Sequence, residues 1–151
     1  MAPPKVLKNA QQVLERQEQR QAQALADSAR QVKENETKLQ ELERYRAVYL
    51  RDFEQRVQGG IAAGQARLFQ TFIARIAQAV SEQQEVLARA RTQHADELRK
   101  WRSAARRSAA LDRVVGRHER AEKQRAEKSE QATSDAHAQR SWAAKGARRG
   151  R

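Results

Sequence analysis

The sequence contains no cysteine and only two prolines, and these absences restrict what the chain can form. Without a thiol it can form neither a disulfide nor a thiolate metal site, and the redox compartment is left open. Both prolines, Pro3 and Pro4, stand at the start, so only glycine interrupts helix formation from Lys5 onward. Apolar residues make up 38% and aromatic residues 5%, which is too little for a thick globular core. The chain is therefore either largely disordered or built from long, thinly buried helices.

No apolar stretch approaches the roughly 18 residues that cross a bilayer, and the start, MAPPKVLKNAQQ, lacks the apolar segment of a signal peptide. These features predict a cytosolic protein. The sequence has no GxxxxGK[ST] loop to hold phosphates, so any nucleotide hydrolysis is expected of a partner. His94, His118 and His137 are too far apart along one predicted helix to share a metal, and no nucleophilic triad is identifiable. We therefore expect no enzyme activity, cofactor, metal or small-molecule substrate.

The net charge of +12 is concentrated in the second half of the chain. Residues 1–66 hold 11 basic and 9 acidic residues, whereas residues 89–107 hold 7 and 2, and residues 116–151 hold 10 and 5. Charge of this kind favours a solvated helical face over nucleic-acid binding. Aromatic residues among these basic stretches are limited to Trp101 and Trp142, too few for a stacking platform. A nucleic-acid-binding chain would contact phosphates through Arg99, Lys100, Arg102, Arg106 and Arg107.

A seven-residue apolar repeat runs through the second half of the chain for six heptads and predicts a helix with a coiled-coil seam. The repeat of the first half is weaker because polar residues interrupt it. Polar positions loosen a seam but help to fix its register. The predicted seam of the second half comprises Phe69, Ile73, Ile76, Val80, Gln83, Leu87, Ala90, His94, Glu97, Trp101, Ala104, Ser108, Leu111 and Val115. The first half contributes Leu7, Leu14, Leu25, Val32, Leu39, Leu42, Tyr49 and Phe53, interrupted by Gln21, Ser28, Asn35 and Arg46.

The segment QGGIAAGQ separates the two repeats, and its three glycines suit a helix end followed by a chain reversal. Two long helices with apolar stripes bury them most simply against each other. The sequence therefore predicts an all-α fold, a long antiparallel two-helix coiled-coil hairpin over residues 1–140. Its helices are expected at about 5–58 and 65–140, joined by a turn at about 59–65.

The two predicted helices are unequal, so the C-terminal end of the second helix overhangs. Pairing about the turn puts Lys5 beside residue 119 or so and leaves everything after about Arg120 without an opposing helix. The segment RAEKQRAEKSEQATSDAHAQR favours helix and has i,i+4 charge pairs, but its seam positions are polar. It is expected to fray as a single helix or to order on a partner. Residues 141–151 have the composition of a basic, disordered tail.

Every tyrosine and phenylalanine of the chain lies close to the predicted turn. Tyr49 and Phe69 fall at seam positions and are predicted to pack there. Tyr45 and Phe72 fall just outside the seam, on the same edge of the helix pair. An aromatic strip at the rim of a hydrophilic hairpin exceeds what solubility requires. It predicts a protein-binding patch, with additional packing at the tip as the alternative.

The near-turn sequence resembles a known family. LERYRAVYLRDF followed by GGIAAGQARLFQTFIARIAQAVSEQ is similar to FliJ, the small coiled-coil component of the bacterial flagellar type III export apparatus, and more distantly to its injectisome relative YscO. The chain has Lys38 where the family often has glutamine, and Gln83 where the family has histidine. The resemblance covers most of the chain and depends most on Leu42, Tyr45, Tyr49, Phe72, Ile76 and Ala79 at matching spacing.

The resemblance implies a stalk-like coiled coil that binds the hexameric export ATPase FliI, which acts with FliH, and promotes its ring assembly. It also implies contact with the cytoplasmic domain of the export gate FlhA, a role in handling export chaperones, and a peripheral location at the inner-membrane face of the flagellar base. The alternatives are a basic nucleic-acid-binding coiled coil and a purely structural one. The implied gate-binding patch comprises Lys38, Leu42, Tyr45, Tyr49, Phe72, Ile76, Ala79 and Gln83. The implied ATPase-ring-binding end comprises Arg120, Lys123, Arg125, Lys128 and Arg140.

Overall fold

The computed structural model describes residues 4–150, which form two long helices. Helix α1 is Pro4–Gly59 and helix α2 is Ala63–Arg149. Pro4 begins α1, a position where its missing N–H is tolerated because the first N–H groups of a helix have no partner within it. The described residues contain no strand. The two long helices pack against each other, which confirms the predicted all-α helical hairpin.

The connection between the helices is only three residues long, 60–62, and depends on one glycine. Gly60 has φ +82°, a left-handed conformation that side chains with a Cβ rarely adopt, and its N–H donates to the Val57 carbonyl at 3.2 Å. At the start of α2 the Ala66 N–H donates to the Ala62 carbonyl at 3.1 Å. The turn is therefore shorter than the predicted 59–65, and Gly64 lies inside α2.

Packing divides the helix pair into two compact units. One unit is Arg16–Ala105, and the other comprises the described residues of Met1–Glu15 and Arg106–Arg151. The helices are antiparallel within each unit. In Arg16–Ala105, Ser28 of α1 meets His94 of α2, whereas the later Asn35 meets the earlier Gln83. In the other unit Leu7 lines a groove with His118, whereas the later Gln11 meets the earlier Asp112. In the second unit Gln11 donates to Asp112 at 2.7 Å. The register agrees with the predicted pairing of the N-terminal residues with the region near residue 119.

The core is a thin seam along the predicted heptad positions. All fourteen seam positions predicted between residues 69 and 115 are buried or half-buried. Within the described residues no side chain is less than 2% exposed, so the helices share a narrow strip of contact. This burial confirms the repeat. The buried apolar residues are Ile76, Val80, Leu87, Ala104 and Val115.

Two of the polar interruptions in the α1 seam are paired with polar residues of α2. The Nε2 of Gln83 donates to the backbone carbonyl of Asn35 at 3.1 Å and to its side-chain Oδ1 at 3.0 Å. Ser28 Oγ lies 3.1 Å from His94 Nδ1 and donates its single hydrogen to the Leu25 carbonyl at 2.8 Å. Because a shift of register would leave these groups unpaired, the polar layers specify one alignment of the helices.

Helix α2 is almost entirely exposed after residue 118, and a groove that it shares with α1 reaches Glu122. Residues 119–150 are all exposed except the half-buried Ala136. Residues 141–149 belong to α2, whereas the sequence predicted a disordered tail from 141. Ala143, Ala144 and Ala147 have high helix propensity, and basic residues in the last turn interact favourably with the helix dipole. Local propensity therefore extends the helix beyond the end of the seam. Residue 151 lies outside the described residues.

Candidate functional site

Three aromatic rings form a continuous cluster in the unit Arg16–Ala105, close to the turn. The ring centroids of Tyr45 and Tyr49 are 5.2 Å apart, and those of Tyr49 and Phe72 are 4.6 Å apart. Tyr49 thus connects a ring one turn earlier on α1 to a ring of α2. The tilted pairs have the separations of favourable aromatic contacts. The two residues predicted to lie at the rim, Tyr45 and Phe72, are brought together through Tyr49.

The outer part of this cluster is accessible to a partner. Tyr45 is 56% exposed and Phe72 39% exposed, whereas Tyr49 is half-buried. Two aliphatic residues that the sequence reasoning missed enlarge the surface. Val48 follows Tyr45 by three residues and Leu68 precedes Phe72 by four, spacings that make side chains neighbours on a helix, and both are exposed. We call these five residues the near-turn patch.

The near-turn patch is uncharged at neutral pH. The pKa of the Tyr49 phenol is raised above its usual value, first by its hydrogen bond with Tyr45 and further by Coulombic interaction with Tyr45, by burial and by the nearby Asp52 carboxylate. A raised phenol pKa favours the protonated form. The patch therefore presents aromatic surface with phenolic hydroxyls, a combination that is enriched at protein–protein contacts.

The side chains of the other predicted gate-binding residues differ in their exposure to solvent. Lys38 is exposed, whereas Leu42 and Ala79 are half-buried. Ile76 is buried in the seam, and the Nε2 of Gln83 is engaged with Asn35 across the seam. Ile76 and Gln83 therefore position the surface residues more than they offer surface of their own.

A second aromatic pair stabilises the seam nearer to the turn. The ring centroids of Phe53 and Phe69 are 5.7 Å apart, and the Arg56 guanidinium lies 5.3 Å from the Phe69 centroid. Arg56 also forms an ion pair with Asp52 at 3.5 Å. Both rings are half-buried, so they act mainly in packing, as their seam positions predicted.

The predicted ring-binding residues lie on the unpaired part of α2, and all are exposed. Arg120 donates to the Gly116 carbonyl at 3.2 Å, and Arg140 donates to the Ala136 carbonyl at 3.4 Å. Arg125 lies 3.6 Å from the Glu122 carboxylate. Each of these contacts joins residues three or four positions apart on α2. The basic groups are therefore spread along the helix and do not converge on a pocket.

The basic stretch around residue 100 is partly neutralised by its own carboxylates. Asp96 forms an ion pair with Arg99, and Glu97 forms one with Lys100 at 3.6 Å. Each of the two carboxylates is therefore the charge partner of a basic residue three positions later on the helix. They also lower the density of positive charge available to nucleic-acid phosphates.

The described residues contain neither a metal-binding cluster nor a membrane-spanning helix. No group of three or more His, Cys, Asp or Glu side chains among residues 4–150 is arranged to hold a metal ion. In the same residues no helix is long and apolar enough to cross a membrane.

Comparison with protein families gives one match, which covers almost the entire chain. The family model of the flagellar FliJ protein matches residues 5–147. No curated protein and no solved structure matches significantly. The family match spans both helices, including the near-turn patch and most of the unpaired end of α2. It connects the helical hairpin and its exposed aromatic patch to flagellar protein export: the chain belongs to the flagellar FliJ protein family.

Proposed function

We propose that this FliJ-family chain acts as a stalk-like coiled coil that couples the hexameric export ATPase to the export gate. Family membership supports the general role, a component of the flagellar export apparatus. The finer proposal assigns one surface to each partner, with the near-turn patch for the cytoplasmic domain of the gate FlhA and the basic end of α2 for the ATPase FliI with FliH. It also includes promotion of ATPase ring assembly, handling of export chaperones, and a peripheral location at the inner-membrane face.

The observation that carries the proposal is the exposure of the near-turn patch. Tyr45 and Phe72 are large aromatic residues that remain accessible although Tyr49 and the seam lie directly beside them. Aromatic anchors at the centre of a contact often contribute most of its binding energy. Half-buried Tyr49 holds both outer rings in place, so little side-chain freedom is lost when a partner covers them. A preorganised, uncharged aromatic surface is well suited to an apolar groove on a protein partner.

The basic end of α2 supports a different kind of contact. Arg120, Lys123 and Lys128 are exposed on a helix that has no apolar seam. Charged groups of this kind steer association and fix orientation more than they add affinity. Basic and acidic residues are interspersed along residues 119–135, so a ring surface with charges of both signs would pair with this helix without holding it in a single rotational position. That property fits a shaft inside an ATPase ring better than it fits a rigid joint.

Binding measurements on single variants test the assignment of the gate surface. Tyr45→Ala and Phe72→Ala should each weaken binding to the gate's cytoplasmic domain by tenfold or more, because each removes an exposed aromatic anchor of about 2 kcal/mol. Isothermal titration calorimetry gives the affinities. The control is Val13→Ala, which removes exposed apolar surface in the other unit and should leave gate binding unchanged.

ATPase assays on the same proteins keep the two surfaces separate. Tyr45→Ala should stimulate ATP hydrolysis by the export ATPase as well as the unmodified chain does. Replacing Lys123 and Lys128 by glutamine should reduce stimulation while gate binding is retained. Unaltered gate affinity in both aromatic variants would contradict the gate assignment, and undiminished stimulation by the lysine variant would contradict the ring assignment.

A further inference from the structure

The unpaired end of α2 consists of two segments that differ in net charge. Residues 119–135 contain four basic and five acidic residues, so their formal charge is nearly balanced. Residues 136–151 contain five basic residues and no acidic residue. Four of those five, Arg140, Lys145, Arg148 and Arg149, lie in the described helix. The last turns of α2 are therefore a strongly cationic helix that is distinct from the balanced helix before it.

The cationic segment is amphipathic, and one large aromatic residue stands at the boundary of its two faces. At 3.6 residues per turn its four basic residues fall within one half of the helix circumference. Gln139, Ala143, Gly146 and Ala147 fall in the other half. Trp142 lies at the border and is 82% exposed, the highest value among the large hydrophobic residues of the described chain. Its indole borders a shallow groove with Ala138, Gln139 and Ala143.

We propose that residues 136–150 form an interfacial helix that binds the surface of an anionic lipid bilayer. Basic residues near such a surface are attracted by the anionic headgroups, and a tryptophan at the edge of the apolar face is the residue type enriched at the membrane–water boundary. A helix that lies in the plane of the interface has lysine and arginine on one face and large apolar residues such as tryptophan on the other. The apolar face here has one large residue, so binding is reversible and depends on lipid charge.

A bilayer accounts for these features better than a nucleic acid does. Phosphate contacts require basic residues but no apolar face, and single-strand binding uses several stacked aromatic residues, whereas this segment has one. The absence of acidic residues after Asp135 also distinguishes the segment from the ion-paired basic stretch around residue 100. An anionic bilayer surface, which is both charged and partly apolar, thus accounts for the basic residues and for the exposed indole.

The membrane proposal is independent of the ring-binding proposal. Arg140 belongs to both surfaces, but Arg148 and Arg149 belong only to the cationic segment. A variant in which both are replaced by glutamine retains all five ring-facing basic residues. If this variant loses vesicle binding but stimulates the ATPase normally, the loss is assigned to the membrane helix alone. If it binds vesicles normally but stimulates the ATPase less, the loss is assigned to the ring contact alone.

The experiment measures binding of the full-length chain to vesicles. Co-sedimentation is carried out with vesicles of phosphatidylcholine alone and with vesicles containing one third phosphatidylglycerol. The unmodified chain should bind only the anionic vesicles and should be released by 0.5 M salt, because screening shortens the range of electrostatic attraction. Arg148→Gln with Arg149→Gln should lower binding about 25-fold, since each basic residue at such a surface contributes about fivefold. The matched control, Arg113→Gln with Arg117→Gln, removes the same charge from exposed positions on the paired part of α2 and should change binding less than twofold.

Tryptophan fluorescence supplies a second measurement that reports on the segment itself. In a Trp101→Phe variant Trp142 is the only tryptophan, and its emission should shift to shorter wavelength on anionic vesicles. Circular dichroism verifies that the Trp101→Phe variant retains its helical content. Co-sedimentation is measured on the unmodified chain and does not depend on this substitution. Equal binding by the two double variants, or an unchanged Trp142 emission on vesicles that sediment the chain, would overturn the proposal. Binding to RNA or duplex DNA that depends on Arg148 and Arg149, without vesicle binding, would also overturn it.

Discussion

The stretch of α2 from residue 69 to residue 115 and the stretch from 119 to 149 are both helical, but only the first is paired. Both are rich in charged residues and alanine, so local helix propensity is similar. The first has seam residues at every third or fourth position, and all of these are buried or half-buried. In the second only Ala136 is even half-buried. Propensity therefore determines where the helix forms, whereas apolar spacing determines where it pairs.

The largest expected effect compares a leucine of the seam with one outside it. Leu87 is 4% exposed and Leu68 is 72% exposed, so one substitution tests both environments on the same helix. Leu87→Ala should lower the free energy of unfolding by 2–5 kcal/mol, through lost burial and the cavity left behind, and Leu68→Ala by less than about 0.5 kcal/mol. Urea denaturation followed by circular dichroism gives both values. Equal losses would mean that the seam does not determine stability in this part of the chain.

An intermediate effect is expected from the polar layer of the seam. Asn35→Ala removes one acceptor of the Gln83 side chain and should cost about 1–2 kcal/mol, because a half-buried amide loses a partner. Replacing both Asn35 and Gln83 by leucine should instead stabilise the helix pair, since no polar group is then left unpaired. Denaturation of the two variants measures this difference. If the double leucine variant is less stable than the unmodified chain, the polar layer contributes to stability as well as to the register of the helices.

Most of the fold follows from the sequence because it depends on periodicity. The seam from Phe69 to Val115 could be assigned residue by residue, and the rim positions of Tyr45 and Phe72 follow from the same repeat. The helical state of residues 141–149 was missed because composition alone does not separate a disordered basic segment from a solvated helix rich in alanine. The pairing of Ser28 with His94 depends on side-chain geometry across the helices, which a heptad pattern does not contain.

The near-turn patch shows a similar division between what the repeat contains and what it omits. Tyr45, Tyr49 and Phe72 lie at or beside seam positions, so the repeat identifies them. Val48 and Leu68 lie at outer positions of the heptad, which do not contribute to the seam, so the repeat does not identify them. Their contribution to the near-turn patch is found only when the exposure of their side chains is compared with that of Tyr45 and Phe72. A search for apolar residues three or four positions from a rim aromatic would have found both.

The smallest effect on stability is expected from removing the unpaired helix itself. Truncation after Glu122 keeps the groove that Leu7 forms with His118 and Glu119 and deletes residues 123–151, which include 27 of the 87 residues of α2. Few buried contacts are lost, so the urea midpoint of the remaining helix pair should be unchanged within error, while the helical circular dichroism signal falls in proportion to the residues removed. A lower midpoint would show that the end of α2 folds back on the paired helices. An unchanged midpoint, together with reduced stimulation of the export ATPase, would mean that this helix forms without contributing to the stability of the pair. Its retention in the chain would then be explained by the partners it contacts.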